Sequence, residues 1–285
     1  MDKLSVILVK YKEPLNVIED CLKSLELQKS VTLEVNFLDQ SCDEICKRMI
    51  NAFNNNSEHN FNYYNIDDVS LSFARNYGIK IASNRYIAFI DADAIADPFW
   101  AINILTGFCD DKSAGVIGGK IMPKFLGKVK WYHKTLYIND IYSLLDLGPQ
   151  SKYVKKVIGA NFAINLDLVK KECFNEELGR IDGKLLGGEE TEFCERLGKK
   201  GIMIKYLPNV IVYHQIPSSR LKLSWILRRF YFGGLSRAIR GGKPEPNNSN
   251  PNKYDYSFLV FLLIPYCIGF VKGKMYVKLK KYFKK

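Results

Sequence analysis

Three short apolar runs, "LSVILV" (4–9), "LEVNFLD" (33–39) and "IAFID" (87–91), fall within the first hundred residues with helical stretches between them. Runs of this length, partly β-branched, read as strands covered on both faces. Between the first two, "EPLNVIEDCLKSLELQ" (13–28) sets Leu15, Ile18, Leu22 and Leu25 on one helical face, with Pro14 in its first turn. After the second, "SCDEICKRMINAF" (41–53) reads as a helix capped by Ser41 or Asp43. "NNNSEHN" (54–60) reads as a surface loop, "FNYYNI" (61–66) as a short strand, and "SLSFARNYGIKIAS" (70–83) as a helix leading into the third run. Strands alternating with helices require crossovers. The chain is therefore expected to be α/β, with a mainly parallel sheet and right-handed connections.

In such sheets ligands gather beyond the carboxyl ends of the strands. The second run ends there on Asp39 and the third on Asp91, with Asp93 two residues on. Carboxylates at i and i+2 in extended backbone project to one side and repel unless a cation lies beside them. A solvated turn before Asp97-Pro98 gives the same pattern. Past residue 100 the alternation weakens. "AGVIGGKIM" (114–122) reads as a strand with a glycine kink, and "VIGANFAINLDLVKK" (157–171) as a strand then a helix. "GGEETEFCERLGKKG" (187–201) reads as a helix entered through glycines, and "IKYLPNVIVYH" (204–214) as a strand ending on His214. From Leu221 to Arg240 the chain is basic and aromatic, and "GGKPEPNNSNPNK" (241–253) is the clearest linker.

The formal charge of +12 points to an anionic partner. Its placement narrows the choice. Lys272, Lys274, Lys278, Lys280, Lys281, Lys284 and Lys285 follow the apolar stretch "SFLVFLLIPYCIGFV" (257–271) without one acid. That suits an anionic membrane surface better than a nucleic-acid groove. The stretch is shorter than the ~20 residues of a bilayer span, and Pro265 interrupts it. It either lies in the interface, which the lysines favour, or packs as a core helix. Seven scattered cysteines with no C-x-x-C pair argue against a disulfide framework and for a reducing compartment. The opening "MDKLSVILVKYKEP" is too short in its apolar run for a signal peptide. A cytoplasmic chain, held peripherally at the inner face of a membrane, is expected. With 47% hydrophobic residues it can bury the core of one large domain plus appendages.

In order along the chain, these segments resemble an inverting glycosyltransferase of the GT-A fold, family 2, over about residues 4–240. "LSVILVKYKEP" looks like the family's opening strand and "FLDQSCDE" like its second strand with an Asp at the tip. "FARNYGIKIASNRYIAFIDADA" is similar to its helix, strand and D-x-D, and "GANFAI" to its middle strand. "GGEETEF" looks like its catalytic acid pair and "RRFYFGGLSRA" like its late arginine and glycine segment. Lys12 stands where the family often has Asn, and "LDQS" is one residue shorter than the common D-D-x-S.

The resemblance implies a Rossmann-like mixed, mainly parallel sheet flanked by helices, with a C-terminal helical, membrane-proximal extension. It implies a transferase domain over 1–240, a nucleotide-sugar half (1–100) and an acceptor half (101–240), a linker (241–253) and a membrane-associating segment (254–285). The implied donor is a nucleotide-diphosphate sugar, UDP-linked in the first instance, and the acceptor a hydroxyl of a glycan or lipid-linked glycan. Mn²⁺ or Mg²⁺ is the implied cofactor, held by Asp93 and His214. Asp91 falls at the ribose or reaches the metal through water, and Ala92 falls at the donor beside it. Val9, Tyr11 and Glu13 at the first strand's exit, with Asp39, fall at the nucleotide. Arg75 and Asn76 fall at the diphosphate, and Arg228 and Arg229 at the diphosphate or at lipid headgroups. Glu190 falls at the general-base position, with Glu189 as the alternative.

Plainer readings stand beside these. Asp39 also fits a turn and Arg75 a helix-surface cation, and acids in a helix's first turn are favoured by its dipole. Glu189, Glu190 and Glu192 cannot share one face, because neighbours on a helix diverge by about 100°. Trp100, Trp131 and Trp225 suit a sugar platform or the core, and His59 and His133 have no evident partner. Two other functions compete. One is a catalytically degenerate module that binds nucleotide sugar or membrane. The other is a nucleotidyltransferase, which needs a glycine and lysine loop that "LVKYKEPL" lacks; "GVIGGK" lacks P-loop spacing as well.

Overall fold

Successive apolar residues of the first strand pack to opposite faces of a sheet, and that division organises the molecule. The computed structural model describes residues 3–170, 172–180, 186–241 and 253–283. Its first half runs β1 (Leu4–Lys10), α1 (Leu15–Glu26), β2 (Leu33–Asp39), α2 (Glu44–Asn56), β3 (Asn60–Asn65), α3 (Leu71–Ile81), β4 (Tyr86–Asp91), β5 (Ala94–Ala96) and α4 (Trp100–Asp110). There follow β6 (Ala114–Leu126), a 3-10 turn (Trp131–Lys134), α5 (Leu136–Ile141), β7 (Lys152–Tyr153), β8 (Asn161–Asn165) and α6 (Leu166–Val169). The last part is α7 (Glu189–Lys199), β9 (Met203–Pro217), a 3-10 turn (Ser218–Leu221), α8 (Leu223–Ile239) and α9 (Lys253–Phe283).

The sheet order is β3-β2-β1-β4-β8-β6-β9-β5, with β7 on β9. β3, β2, β1 and β4 are parallel, as the alternation requires. β8 then enters antiparallel between β4 and β6, while β6 and β9 are again parallel. The sheet is thus mixed and mainly parallel. Leu4, Val6 and Leu8 of β1 pack with Ile18 and Leu22 of α1, Ile50 of α2 and Ile104 of α4. Ile7 points to the other face, with Ala74 of α3 and Phe193 and Leu197 of α7. α3 lies close on β1: a Cβ at Gly78 would meet Ile7 Cγ2 at 2.6 Å. Of the two candidate caps for α2, Asp43 is the one used, accepting from Ile45 N at 2.9 Å. Ser70 caps α3 in the same way.

One buried amide ties α4 to three strands of the sheet. Asn161 accepts from the Trp100 indole N–H at 2.8 Å and donates to the carbonyls of Lys120 (3.0 Å) and Val210 (2.9 Å). α4, β6, β8 and the β9 bulge are joined through this side chain, which is fully buried.

The C-terminal helix departs from the reading of a short interrupted run. α9 continues through Pro265 and past the first lysines, and Leu259–Leu279, 21 residues, is long and apolar enough to cross a membrane. Its length comes from packing on α8 through glycines. A Cβ at Gly234 would lie 2.0 Å from the Tyr266 carbonyl oxygen, and one at Gly269 would lie 1.9 Å from that of Tyr231. Backbones in such contact hold the helix directly beyond the proline. The expected linker falls, from 242 to 252, outside the described residues.

Replacing Asn161 by Ala strands the Trp100 N–H and two carbonyls in the core. At ~1–3 kcal/mol for each orphaned group, partly relieved by relaxation, Asn161→Ala should destabilise by about 3 kcal/mol, read from urea unfolding. A change under about 0.5 kcal/mol would contradict this role.

Candidate functional site

β4 ends on Asp91, the chain turns through Ala92 and Asp93, and β5 then pairs antiparallel with β9, setting Ala94 opposite His214. Gln215 N donates to the Asp93 carbonyl at 2.7 Å, fixing the turn. The D-x-D and a histidine 121 residues later thereby meet. One ligand atom from each of Asp91, Asp93 and His214 lies within 4.8 Å of the others. His214 Nδ1 is 2.6 Å from the Tyr142 carbonyl, which can only accept, so Nδ1 carries a proton and Nε2 faces Asp93 Oδ1 at 3.0 Å. An orienting carbonyl behind the ring is the usual support of a metal-binding imidazole. Two carboxylates and an imidazole nitrogen suit Mn²⁺ or Mg²⁺.

Asp93 also meets Arg220, with Nη2 2.8 Å from Oδ2. Burial alone would raise the Asp93 carboxyl; His214 and Arg220 outweigh it and hold it well below the usual range. Burial disfavours charge on His214, and Asp93 overrides that, so its pKa is raised.

Across the cleft, Gly188 (φ +93°) turns the chain into α7 with no side-chain cap, and Glu189 and Glu190 open the helix. Glu189 is buried, and its Oε1 takes Arg75 Nη1 at 2.7 Å. Arg75 Nη2 donates to the Gly159 carbonyl at 3.1 Å and lies 3.5 Å from Asp91 Oδ1. One guanidinium therefore spans both acid groups. Half-buried Glu190 is pushed up to about 8, by burial first and the Glu189 charge second, with Arg75 pulling the other way. Burial and Arg180 push Arg229 down to about 10, against Glu189 and Glu190.

These groups line a cavity of about 430 Å³. Val9, Tyr11, Glu13, Arg75, Asp91, Ala92, Asp93, Glu189, Glu190 and Arg229 all border it, and His214 stands behind Asp93. Asp39, Asn76 and Arg228 are not among its lining residues. Asp39 is fully buried, and its oxygens already accept from Ser41 N, Ser41 Oγ, Asp43 N and Tyr63 Oη at 2.7–3.0 Å, with Lys10 at 3.3 Å. No acceptor site is left for a nucleobase; Gln40, the next residue, borders the cavity instead. Asn76 clamps the Phe174 backbone at 2.8 and 3.0 Å. Arg228 turns to the Phe232 ring, one residue round α8 from Arg229. Trp100 belongs to the core, Trp131 is exposed, and Trp225 stacks on Tyr142. His133 bonds the Leu221 carbonyl and His59 the Leu33 amide.

Sequence reasoning missed Arg180 and Arg220, which both border the cavity. Arg220 follows His214 by six residues, and only the 3-10 turn after β9 returns it to Asp93. No motif marks either position.

Residues 5–171 match the family described as Glycosyl transferase family 2, which covers more than half of the chain. The chain belongs to glycosyl transferase family 2. This family 2 chain is 25% identical over 173 residues to the pre-mycofactocin glycosyltransferase of Mycobacterium tuberculosis, covering 60% of the chain and 35% of that protein. It is 21% identical over 178 residues to the glucosyl-dolichyl phosphate glucuronosyltransferase of Haloferax volcanii, covering 61% of the chain and 57% of that protein. It thus spans between a third and three fifths of these relatives. Among solved structures, the mannosyltransferase PcManGT from Pyrobaculum calidifontis, in complex with GDP-Man and Mn²⁺, superposes with a TM-score of 0.62 at 17% identity, over 96% of this chain and 73% of that one. S. aureus TarS 1-349 in complex with UDP-GlcNAc gives 0.52 at 18% identity, over 85% and 68%. These likenesses show the fold, which is GT-A.

Asp39 gives a stability test. Burial would raise its carboxyl, but the Asp43 and Ser41 donors and Lys10 prevail and hold it low. A carboxyl depressed on folding stabilises the fold above its unfolded pKa of ~3.9 and loses that effect as pH falls through the folded value. Asp39→Asn should therefore lower the urea midpoint clearly at pH 7 and progressively less below about pH 4. An equal deficit at both would contradict the assignment.

Proposed function

We propose that this family 2 chain is a metal-dependent, inverting glycosyltransferase that moves a sugar from a nucleoside-diphosphate donor, first of all a UDP-sugar, to a hydroxyl of a glycan or lipid-linked acceptor. One observation carries the reading: the Asp91–Asp93–His214 group and the Glu189–Glu190 pair meet on a single cavity, bridged by Arg75. The neighbours in complex with GDP-Man and Mn²⁺ and with UDP-GlcNAc support the donor class. Residues 1–100 supply most of the nucleotide-sugar half and residues 101–240 most of the acceptor half.

Asp93 and His214 would hold Mn²⁺ or Mg²⁺, with Asp91 beside them. A divalent cation there would neutralise charge on the departing diphosphate. Val9, Tyr11 and Glu13, at the exit of β1, border the nucleotide end. Glu190, whose raised pKa makes it a competent proton acceptor near neutral pH, takes the acceptor hydroxyl's proton as that oxygen attacks the anomeric carbon opposite the diphosphate. Glu189 is engaged by Arg75 and so is the poorer base. Arg75 instead holds the two acid groups at a fixed separation.

α9 supplies the membrane contact in this reading. Val260, Ile264, Ile268, Val271 and Met275 are exposed, and Lys272, Lys274 and Lys278 are exposed beyond or among them. Apolar insertion and attraction to anionic lipid would hold the enzyme at the inner face of a membrane.

With UDP-sugar, Mn²⁺ and an acceptor, Glu190→Gln should lower kcat about 10²–10⁴-fold with Mn²⁺-UDP affinity little changed, whereas Asp93→Ala should lose both. In the parent, kcat/KM should rise with pH up to about 8 as Glu190 deprotonates, a limb absent from Glu190→Gln. Full activity of either variant would remove its assigned role. Replacing Lys272, Lys274 and Lys278 by Ala should weaken sedimentation with phosphatidylserine vesicles on the order of 100-fold, at ~1 kcal/mol per charge. Unchanged sedimentation would discard the electrostatic contact.

A further inference from the structure

α8 touches two elements at once. On one side its backbone lies directly on α9: besides the Gly234 and Gly269 contacts, a Cβ at Gly273 would sit 2.6 Å from Ala238 Cβ. Helices in contact at this distance cannot shift independently, because any separation opens voids and any approach clashes. On the other side α8 meets the two glycines that precede the acid pair. Ser236 Oγ accepts from the Gly187 amide at 3.1 Å while donating to the Phe232 carbonyl at 2.8 Å, so its lone pair is aimed by its own helix. Arg240 covers Gly188, where an added Cβ would lie 2.9 Å from its Nε. Arg240 Nε and Nη1 are buried without a hydrogen-bond partner. Packing against the Gly188 turn and a long ion pair from Nη1 to Glu195 of α7, at 3.9 Å, hold that side chain.

α7 has no side-chain cap of its own. The direction in which its first residues emerge is therefore set by what holds Gly187 and Gly188, together with the Arg75 contact to Glu189. We infer that α8 is a strut through which α9 governs the placement of Glu189 and Glu190, with Ser236 and Arg240 as its positioning residues. This rests on the proposed transferase reading for its catalytic meaning, though not for its mechanics. Displacing α9 from α8 moves Ser236 away from Gly187, the left-handed turn at Gly188 loosens, and the base loses its fixed place relative to the metal group. The Asp91–Asp93–His214 group is built from β4, β5 and β9 and stays in place.

The test uses the full chain with Ser236→Ala, which removes the acceptor but keeps the helix pair, and Gly269→Val, which wedges α9 off α8. Ser236→Thr, which keeps the hydroxyl, is the rescue. Hydrogen exchange of the peptide spanning 186–193 should speed up at least about ten-fold in the first two and stay at the parent rate in the third, with peptides of α3 and β4 unaffected. Mn²⁺-UDP affinity should remain within about three-fold, and kcat should fall at least ten-fold at unchanged donor KM. Unchanged exchange at 186–193 in both Ser236→Ala and Gly269→Val overturns the inference, and acceleration in Ser236→Ala alone overturns the link to α9. Exchange needs no substrate, so a parent protein without sugar transfer would refute the transferase reading while leaving the strut to be judged by exchange.

Discussion

The buried guanidinium of Arg75 is the constraint on which the site depends. It is 3% exposed and stands between Asp91 of the Asp91–Asp93–His214 group and Glu189 of the acid pair, with the Gly159 carbonyl as a third partner. Removing one partner of a buried ion pair typically costs ~3–5 kcal/mol, because the other charge is left without compensation. Here both partners belong to the cleft, so the penalty would fall on its two working walls together. The surrounding charges follow the same logic. Glu13, Asp91, Asp93, Glu189 and Glu190 border the cavity alongside Lys12, Arg75, Arg180, Arg220 and Arg229. In the proposed reading, an anionic diphosphate arriving with a divalent cation would keep such a cleft near balance, whereas either alone would not.

Arg75 can serve this purpose only because α3 is held rigidly. Gly78 lets the helix lie against Ile7, Ser70 caps its start, and Asn76 grips the backbone at Phe174. Phe174 in turn stacks on Phe193 of α7, with ring centroids 4.5 Å apart. The helix that carries the arginine and the helix that carries the acids thus share one aromatic contact. Asn76, expected at the ligand, instead supports the site through its hydrogen bonds to the Phe174 backbone.

Much of this was legible in the sequence because it is local. The first four strands and three helices follow from apolar period and cap residues, and Asp91 and Asp93 stand at a strand exit that the pattern marks; Glu189, Glu190 and His214 are marked by the resemblance, and His214 lies inside β9, which runs on to Pro217 rather than ending on it. What could not be read depends on tertiary geometry. Asp39 looks like a ligand at a strand tip until four donors from its own loop and from Tyr63 occupy it. Arg180 and Arg220 carry no motif and reach the cleft through turns. The antiparallel entry of β8 leaves no trace in periodicity, since a strand buried on both faces looks alike in either direction. The apolar run of α9 reads as ending at 271 because lysines look like its end, whereas Gly273, among them, packs against Ala238.

The fold and the cleft therefore converge on one claim, that Asp91, Asp93 and His214 form a cation site opening toward the acid pair. Anomalous diffraction at the manganese edge, from crystals soaked with Mn²⁺ and UDP, tests it most directly. The account predicts a single strong peak within ligand distance of Asp93 and His214 on the cavity side. A peak bound elsewhere, or none with UDP in place, would contradict it.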